Sequence, residues 1–135
     1  MNRTRNNWWI LPFIIISLLV ILTGCNYRQG WVEMTYANRM RATYSLFDGQ
    51  HGTAIGLIAA DGTMTLTYDL EITKGNLSLQ ILNPGREVVW EDTFSESTKG
   101  STSFTAEIDG RYRINVVGGE TAGGFDLHWE IVQND

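Results

Sequence analysis

Charged side chains alternate with apolar ones near the C-terminus of the chain. If a loop over residues 117–124 closes a hairpin, Val116 lies opposite Phe125, and two arginines face the last segment. The resulting polar ladder consists of Arg111, Arg113, Asp126, His128 and Glu130. Cross-strand pairs of opposite charge contribute roughly 0.2–1 kcal/mol each. Charge pairing on a solvated sheet face is the simpler explanation of the ladder, and a recognition surface for a charged ligand is the alternative.

Signatures of catalysis are absent from the sequence, including the Gly-x-Ser-x-Gly, His-Glu-x-x-His and phosphate-loop patterns. His51 lies in a glycine-rich segment, residues 48–53, without a second ligand at metal spacing, and we expect it to be a solvated loop residue. The acids of the middle segment do not form the Asp-x-Asp-x-Asp-Gly run of calcium loops; they are Glu87, Glu91, Asp92 and Glu96. The sequence predicts no metal site, no enzymatic cofactor and no enzymatic activity.

Tryptophans raise the separate question of a platform on which a sugar ring could stack. Trp90 and Trp129 alternate in step with apolar neighbours, so they are predicted to be core residues. Trp31 precedes the alternating segments, and it is the one tryptophan of the three that we expect to be exposed.

The single cysteine, Cys25, follows the apolar run ILPFIIISLLVIL of residues 10–22. That run has 13 residues, fewer than the roughly 20 that span a hydrocarbon layer. With two arginines before it and small residues after it, the run predicts a secretory signal peptide. The residues Leu22-Thr23-Gly24-Cys25 resemble the lipobox of bacterial lipoproteins. An uncleaved membrane helix beginning at Trp8 is the alternative.

The lipobox resemblance implies a covalent membrane anchor on the extracytoplasmic side of the cell membrane. Residues 1–24 would be removed, and Cys25 would carry a diacylglyceryl group with a further acyl chain such as palmitate. Two or more chains hold a protein stably, whereas one chain holds it marginally. Loss of the two arginines of the signal leaves 8 basic against 15 acidic residues, a net charge of −7. This charge argues against a nucleic-acid partner.

The mature chain divides into a tether and one domain. Residues 25–39 have no clean period and are predicted to be a lipidated tether, whereas residues 40–135 alternate with a period of two. In the segment TMTLTYDLEI, residues 63–72, every second residue is apolar, which predicts a half-buried strand. Turn signals recur every 8 to 12 residues. The pattern predicts an all-β fold, an antiparallel β-sandwich of seven or eight strands with Greek-key or jelly-roll connections.

Register arithmetic predicts which strands are neighbours, because opposite residues share a face. An Asp61-Gly62 hairpin would pair Ile55 with Tyr68. A link over residues 73–76 would pair Ile72 with Leu77. A turn over residues 83–86 would pair Leu79 with Trp90. Four successive strands would then form a meander. At Asp109-Gly110 the same test fails, so we expect the chain to cross between sheets there. Tyr112 just after it is either a tyrosine corner or a core residue.

Three stretches give the domain a further resemblance: GNLSLQILNPGREVVWED of residues 75–92, DGRYRINVVG and GGFDLHWEI. They resemble small extracytoplasmic β-sandwich modules of bacteria, such as the GOLD domain and the pre-peptidase C-terminal domain. That resemblance implies a non-catalytic binding or protein-interaction module, with an envelope protein or a glycan as partner. The alternatives are a structural or envelope-stress accessory protein without a ligand and an unrecognised hydrolase.

Overall fold

The computed structural model describes residues 26–133, and this part of the chain is built from strands without helices. The seven strands are β1 (Tyr27–Gln29), β2 (Val32–Tyr36), β3 (Arg39–Ile58), β4 (Thr63–Leu82), β5 (Val88–Phe94), β6 (Thr98–Thr105) and β7 (Gly110–Val132). The predicted signal peptide and Cys25 lie outside the described residues. Within residues 26–133, no helix has the length and apolar character needed to span a membrane.

Three long strands, β3, β4 and β7, each run through two half-sheets, and every pairing is antiparallel. Half-sheet 1 has the strand order β2-β3-β7-β4-β6, and half-sheet 2 has the order β1-β3-β7-β4-β5. The two half-sheets pack face to face, because the Trp129 indole N–H of half-sheet 1 donates to the Ile55 carbonyl of half-sheet 2 at 3.2 Å. The prediction of an all-β antiparallel sandwich is therefore confirmed.

Glycines mark the line where the long strands pass from one half-sheet to the other. The pairing of β4 with β7 shifts register between Ile72 and Asn76. Gly123 has φ +130°, and a Cβ atom there would overlap the carbonyl oxygen of Glu71. A residue with a side chain is strained in this conformation, and the close approach of β4 leaves no room for one. Glycine thus permits the bend without breaking the strand.

Alternate residues of the long strands form the core, as the period of two predicts. Trp129 is 2% exposed and Tyr112 is 1% exposed. Polar atoms are rare inside this core. The hydroxyls of Tyr44 and Thr121 are buried without a hydrogen-bond partner of acceptable geometry, and burial raises the pKa of Tyr44 to about 12.

The predicted meander is wrong for two of its three connections. β3 pairs with β7 and not with β4, so Ile55 does not lie opposite Tyr68, and the Asp61-Gly62 turn carries the chain between half-sheets. Residues 73–76 do not reverse the chain, because β4 runs on through a bend at Gly75. Residues that face the core before a connection are followed by residues that face the core after it, whether the connection is a hairpin, a corner or a bend. The alternation of apolar residues therefore could not distinguish these connections.

The third connection and the predicted crossover are found where the sequence indicates them. Residues 83–87 join β4 to β5 as antiparallel neighbours, but the turn is one residue longer than predicted and a bulge adds another, so Trp90 lies opposite Ile81 and not Leu79. At Asp109-Gly110 the chain crosses from β6 in half-sheet 1 to β7 in half-sheet 2. The Tyr112 hydroxyl donates to the Ile108 carbonyl at 2.9 Å. Tyr112 is therefore both a tyrosine corner and a core residue.

The described part of the predicted tether, residues 26–39, belongs to the sandwich. β1 pairs with β3 in half-sheet 2, and β2 pairs with β3 in half-sheet 1. The segment has no visible period because β1 has three residues and β2 has five exposed ones, which is typical of edge strands. The predicted tether is therefore part of the sandwich over these residues, and the domain does not begin at residue 40 as predicted.

Candidate functional site

The structure separates the five residues of the predicted polar ladder. No hairpin forms over residues 117–124, because β7 is continuous from Gly110 to Val132. Arg111 and Arg113 lie on half-sheet 2, where their neighbours on β3 are Leu57 and Ala54. The other three, Asp126, His128 and Glu130, lie on half-sheet 1, opposite Arg41, Arg39 and Thr65. The predicted pairing of Arg113 with His128 and of Arg111 with Glu130 is wrong.

On half-sheet 1 the charged side chains pair with different partners. The Arg39 guanidinium donates from Nε to Asp126 Oδ1 at 2.9 Å and from Nη2 to Asp126 Oδ2. These hydrogen bonds lower the pKa of Asp126 and raise the pKa of Arg39. His128 contacts the Asn38 amide at 3.0 Å. Arg39 and Asp126 therefore neutralise each other, which leaves less of this face's charge for a charged ligand.

Trp31 does not form an exposed platform. Its ring stacks on Tyr44 with centroids 5.5 Å apart and meets the edge of Phe47 at 5.1 Å, while the Arg28 guanidinium covers it at 4.6 Å. The prediction that Trp31 is the exposed tryptophan is therefore wrong, because β1 and β2 fold this residue onto the core.

Glu33 beside this ring joins the N-terminal strands to β3. It accepts hydrogen bonds from Trp31 Nε1 at 3.0 Å and Thr35 Oγ1 at 2.8 Å, and its carboxylate lies 2.9 Å from His51 Nε2. Partial burial opposes ionisation, but these hydrogen bonds outweigh it and lower the pKa of Glu33. His51 is a strand residue with a 17% exposed side chain, so the prediction of a solvated loop residue is wrong.

Metal-ligating side chains do not converge in the described part of the chain, since no group of three or more His, Cys, Asp or Glu residues there has the geometry to hold an ion. A cleft at one margin of the sandwich is a better candidate. β5 and β6 both pair with β4, so they are the outer strands of the two half-sheets on the same side. Between them opens a cleft of about 540 Å³, the edge cleft, lined by Asn83, Glu87, Val89, Phe104, Thr105, Glu107, Ile108 and Tyr112.

Apolar side chains form the interior of the edge cleft. The rings of Phe104 and Tyr112 lie 5.3 Å apart at 50°. Val89 is 44% exposed and Ile108 is 48% exposed, although the sequence pattern places Ile108 on an inward face. Ile108 is exposed because it follows β6, where the chain leaves half-sheet 1 for the corner. The cleft therefore offers a partly covered aromatic ring between two aliphatic side chains.

Polar groups at the rim are held by the two connections that border the cleft. Asn83 Oδ1 accepts from the Glu87 backbone N–H at 2.9 Å, and the Asn83 N–H donates to the Glu87 carbonyl at 2.9 Å. On the other side, the Tyr112 hydroxyl fixes the Ile108 carbonyl. The carboxylates of Glu87 and Glu107 are exposed, and no Lys or Arg is among the described residues that line the cleft.

Sequence reasoning missed this cleft. Its residues come from two segments, 83–89 and 104–112, that are 15 positions apart at their nearest, and they meet only because β5 and β6 flank β4. The Asn-Pro-Gly turn and the tyrosine corner were both visible in the sequence as structural signals. Nothing local indicates that they border a common space.

Comparison with known proteins finds likeness at the level of structure. No protein-family model and no curated protein sequence matches the chain. A carbohydrate-binding module described as "CBM4 structure and function" superposes with a TM-score of 0.50 at 13% identity, over 78% of this chain and 79% of that one. The chain therefore shares the β-sandwich fold of that module.

Two further modules were solved with bound oligosaccharides. One is TmCBM61 with β-1,4-galactotriose, with a TM-score of 0.43 and 13% identity over 81% of this chain and 75% of that one. The other is CBM6cm-2 from Cellvibrio mixtus lichenase 5A with cellotriose, with a TM-score of 0.44 and 12% identity over 81% and 91%. The likeness to the GOLD and pre-peptidase C-terminal domains stays a prediction.

Proposed function

We propose that this chain is a non-catalytic binding module that takes a saccharide in the edge cleft. The proposal depends on one observation: a partly exposed Phe104 ring lines the same cleft as the carboxylates of Glu87 and Glu107 at its rim. A pyranose ring has an apolar C–H face and a girdle of hydroxyl groups. The apolar face would pack on the aromatic ring, and the hydroxyls would donate to the carboxylates and the Asn83 amide oxygen.

Charge narrows the class of saccharide. Two carboxylates without a lining Lys or Arg favour a neutral or amino-bearing sugar, because a uronic acid would meet like charge in a partly desolvated cleft. The proposed ligand is therefore a neutral glycan chain or an amino sugar, and we expect uronic-acid polymers to bind more weakly. The cleft volume of about 540 Å³ lies within the range of small-molecule sites.

Titration calorimetry with neutral oligosaccharides tests the proposed site. Cellotriose, β-1,4-galactotriose and a chitosan oligomer serve as ligands, and an oligogalacturonate serves as the charged control. Phe104→Ala and Glu107→Gln should each weaken binding at least about tenfold, equivalent to about 1.4 kcal/mol. The matched controls are Phe94→Ala, a half-buried ring outside the cleft, and Glu130→Gln, an exposed acid on the charged face.

Two results would count against the saccharide site. Binding that Phe94→Ala and Glu130→Gln weaken as much as the cleft variants would place the ligand elsewhere. Absence of binding to every neutral and amino-bearing oligosaccharide in the panel would favour an accessory protein without a glycan ligand.

Lipid anchoring through Cys25 is the second part of the proposal. Its support is the sequence Leu22-Thr23-Gly24-Cys25 after a short apolar run. An anchored module would hold its glycan, or an envelope protein, at the outer face of the cell membrane. Cys25→Ala should release the protein to the soluble fraction or leave an unprocessed precursor. A Cys25→Ala variant that stays in the membrane at mature size would contradict the anchor.

A further inference from the structure

The first described residues are fastened to the body of the sandwich. Asn26 Oδ1 accepts a hydrogen bond from the Gln50 backbone N–H at 2.8 Å, and Arg28 Nη2 donates to the Gln50 carbonyl at 3.0 Å. Tyr27 pairs with Asp48 in the β1–β3 ladder. The chain therefore contains no free spacer from Asn26 onward.

A missing spacer changes how an anchored domain meets a bilayer. Cys25 is bonded directly to Asn26, and consecutive Cα atoms lie 3.80 Å apart. A lipid on Cys25 would bring the bilayer surface within one or two residues of the Asn26 end of the sandwich. We name the surface at this end the attachment corner; it is lined by Tyr27, Leu46, Asp48, Lys74, Asn76 and Glu120.

The composition of the attachment corner suits a headgroup layer. Tyr27 is 50% exposed. Tyrosine is favoured at a membrane–water interface, because its ring contacts apolar groups while its hydroxyl stays in contact with water. Among the lining residues, Lys74 offsets one of the two carboxylates of Asp48 and Glu120. The corner thus keeps a small excess of negative charge, which a zwitterionic headgroup layer does not repel.

Strand order places the edge cleft far from this corner. β1 lies at one margin of half-sheet 2 and β5 at the other, four strand spacings away, which is about 19 Å. Along β4, the six residue steps from Asn76 to Leu82 add about 20 Å. The Tyr27 part of the corner is therefore roughly 28 Å from the cleft, and the Lys74 part lies at the opposite end of the half-sheet 2 portion of β4 from the cleft.

We propose that the attachment corner rests directly on the bilayer, so that the edge cleft faces away from the membrane. This inference depends on the proposed lipid anchor and adds a fixed orientation to it. A module seated in this way presents its cleft to a glycan or envelope polymer beyond the headgroups. It cannot turn the cleft toward the lipid, because no flexible segment separates Cys25 from the sandwich.

Energy transfer from the natively processed full chain to labelled lipid tests the orientation. The chain has no second cysteine, so Lys74→Cys and Glu107→Cys each provide a unique thiol for a donor dye once Cys25 is lipidated. The vesicles contain phosphatidylcholine with an acceptor-labelled phosphatidylethanolamine. The Förster distance is chosen close to about 26 Å, the length of β4 from Lys74 to Leu82 at the level of the cleft. Transfer should be several-fold stronger from position 74 than from position 107.

A linker variant provides the matched control. Ten Gly/Ser residues inserted between Cys25 and Asn26 would span about 17 Å and should remove most of the difference between the two positions. Equal transfer from both positions in the protein without the linker would overturn the fixed orientation. Mass analysis of the Cys25 peptide separates the two claims, because a lipid-free cysteine would overturn the anchor and the seating together. Glycan affinity measured in solution depends neither on the lipid anchor nor on the orientation at the bilayer.

Discussion

Tyr112→Phe removes one hydrogen bond and leaves the core otherwise intact. The lost contact is the 2.9 Å bond from the Tyr112 hydroxyl to the Ile108 carbonyl, while the ring, which is 1% exposed, keeps its packing against Phe104. A typical intramolecular hydrogen bond contributes about 0.5–1.5 kcal/mol. We therefore expect the free energy of unfolding to fall by about 1 kcal/mol and Tm to fall by about 4–8 °C.

Urea unfolding followed by tryptophan fluorescence measures this loss, with Tyr36→Phe as the control. Tyr36 is 53% exposed on β2, so its hydroxyl should matter by less than about 0.5 kcal/mol. The slope of the unfolding free energy against urea should stay constant in both variants. If Tyr112→Phe and Tyr36→Phe lose the same stability, the tyrosine corner does not hold the crossover at Asp109-Gly110.

Three further predictions concern the bend, the N-terminal strands and the core. Gly123→Ala should destabilise by at least about 2 kcal/mol in thermal unfolding, because of its φ of +130° and its contact with the Glu71 carbonyl; an unchanged Tm would contradict the bend. Because the pKa of Glu33 is lowered in the fold, its ionised carboxylate stabilises the fold above about pH 4, and this stabilisation is lost as the pH falls through the folded-state pKa. Glu33→Gln should therefore weaken the dependence of the unfolding free energy on pH in this range. A variant whose unfolding free energy changes with pH as steeply as that of the unmodified protein would refute this. Tyr44→Phe combined with Thr121→Val removes two unpartnered hydroxyls and should leave stability within about 1 kcal/mol or raise it; a loss above about 2 kcal/mol in urea would show that they are bonded.

Local alternation predicted the strands and most of the core. The inward residues of segment 63–72 are buried or half-buried, and Trp129 is buried as predicted. Alternation works because the period of two is a property of each strand by itself. It does not depend on which strand lies alongside.

Most of the strand pairing could not be predicted from the sequence. The long strands β3, β4 and β7 are twice as long as the predicted segments, because Gly-rich stretches such as residues 118–124 act as bends and not as reversals. A bend and a hairpin preserve the same face parity, so register arithmetic accepted both. The polar ladder failed for this reason, since it depended on a hairpin within β7.

The edge cleft was hidden for a related reason. Its rim comes from the Asn83–Glu87 turn and its interior from residues near the Asp109-Gly110 corner. Both connections carry turn chemistry that the sequence displays. Their meeting is a consequence of strand order, which requires the long-range pairing of β4 with both β5 and β6.

Backbone amide shifts during an oligosaccharide titration test the central claim most directly. The labelled protein is titrated with cellotriose and with β-1,4-galactotriose, and the amides that move are assigned to residues. Saccharide binding in the edge cleft predicts that the largest shifts fall on Glu87, Thr105, Glu107 and Ile108. Shifts centred on the charged face around Asp126 and His128, or no shifts with either sugar, would contradict it.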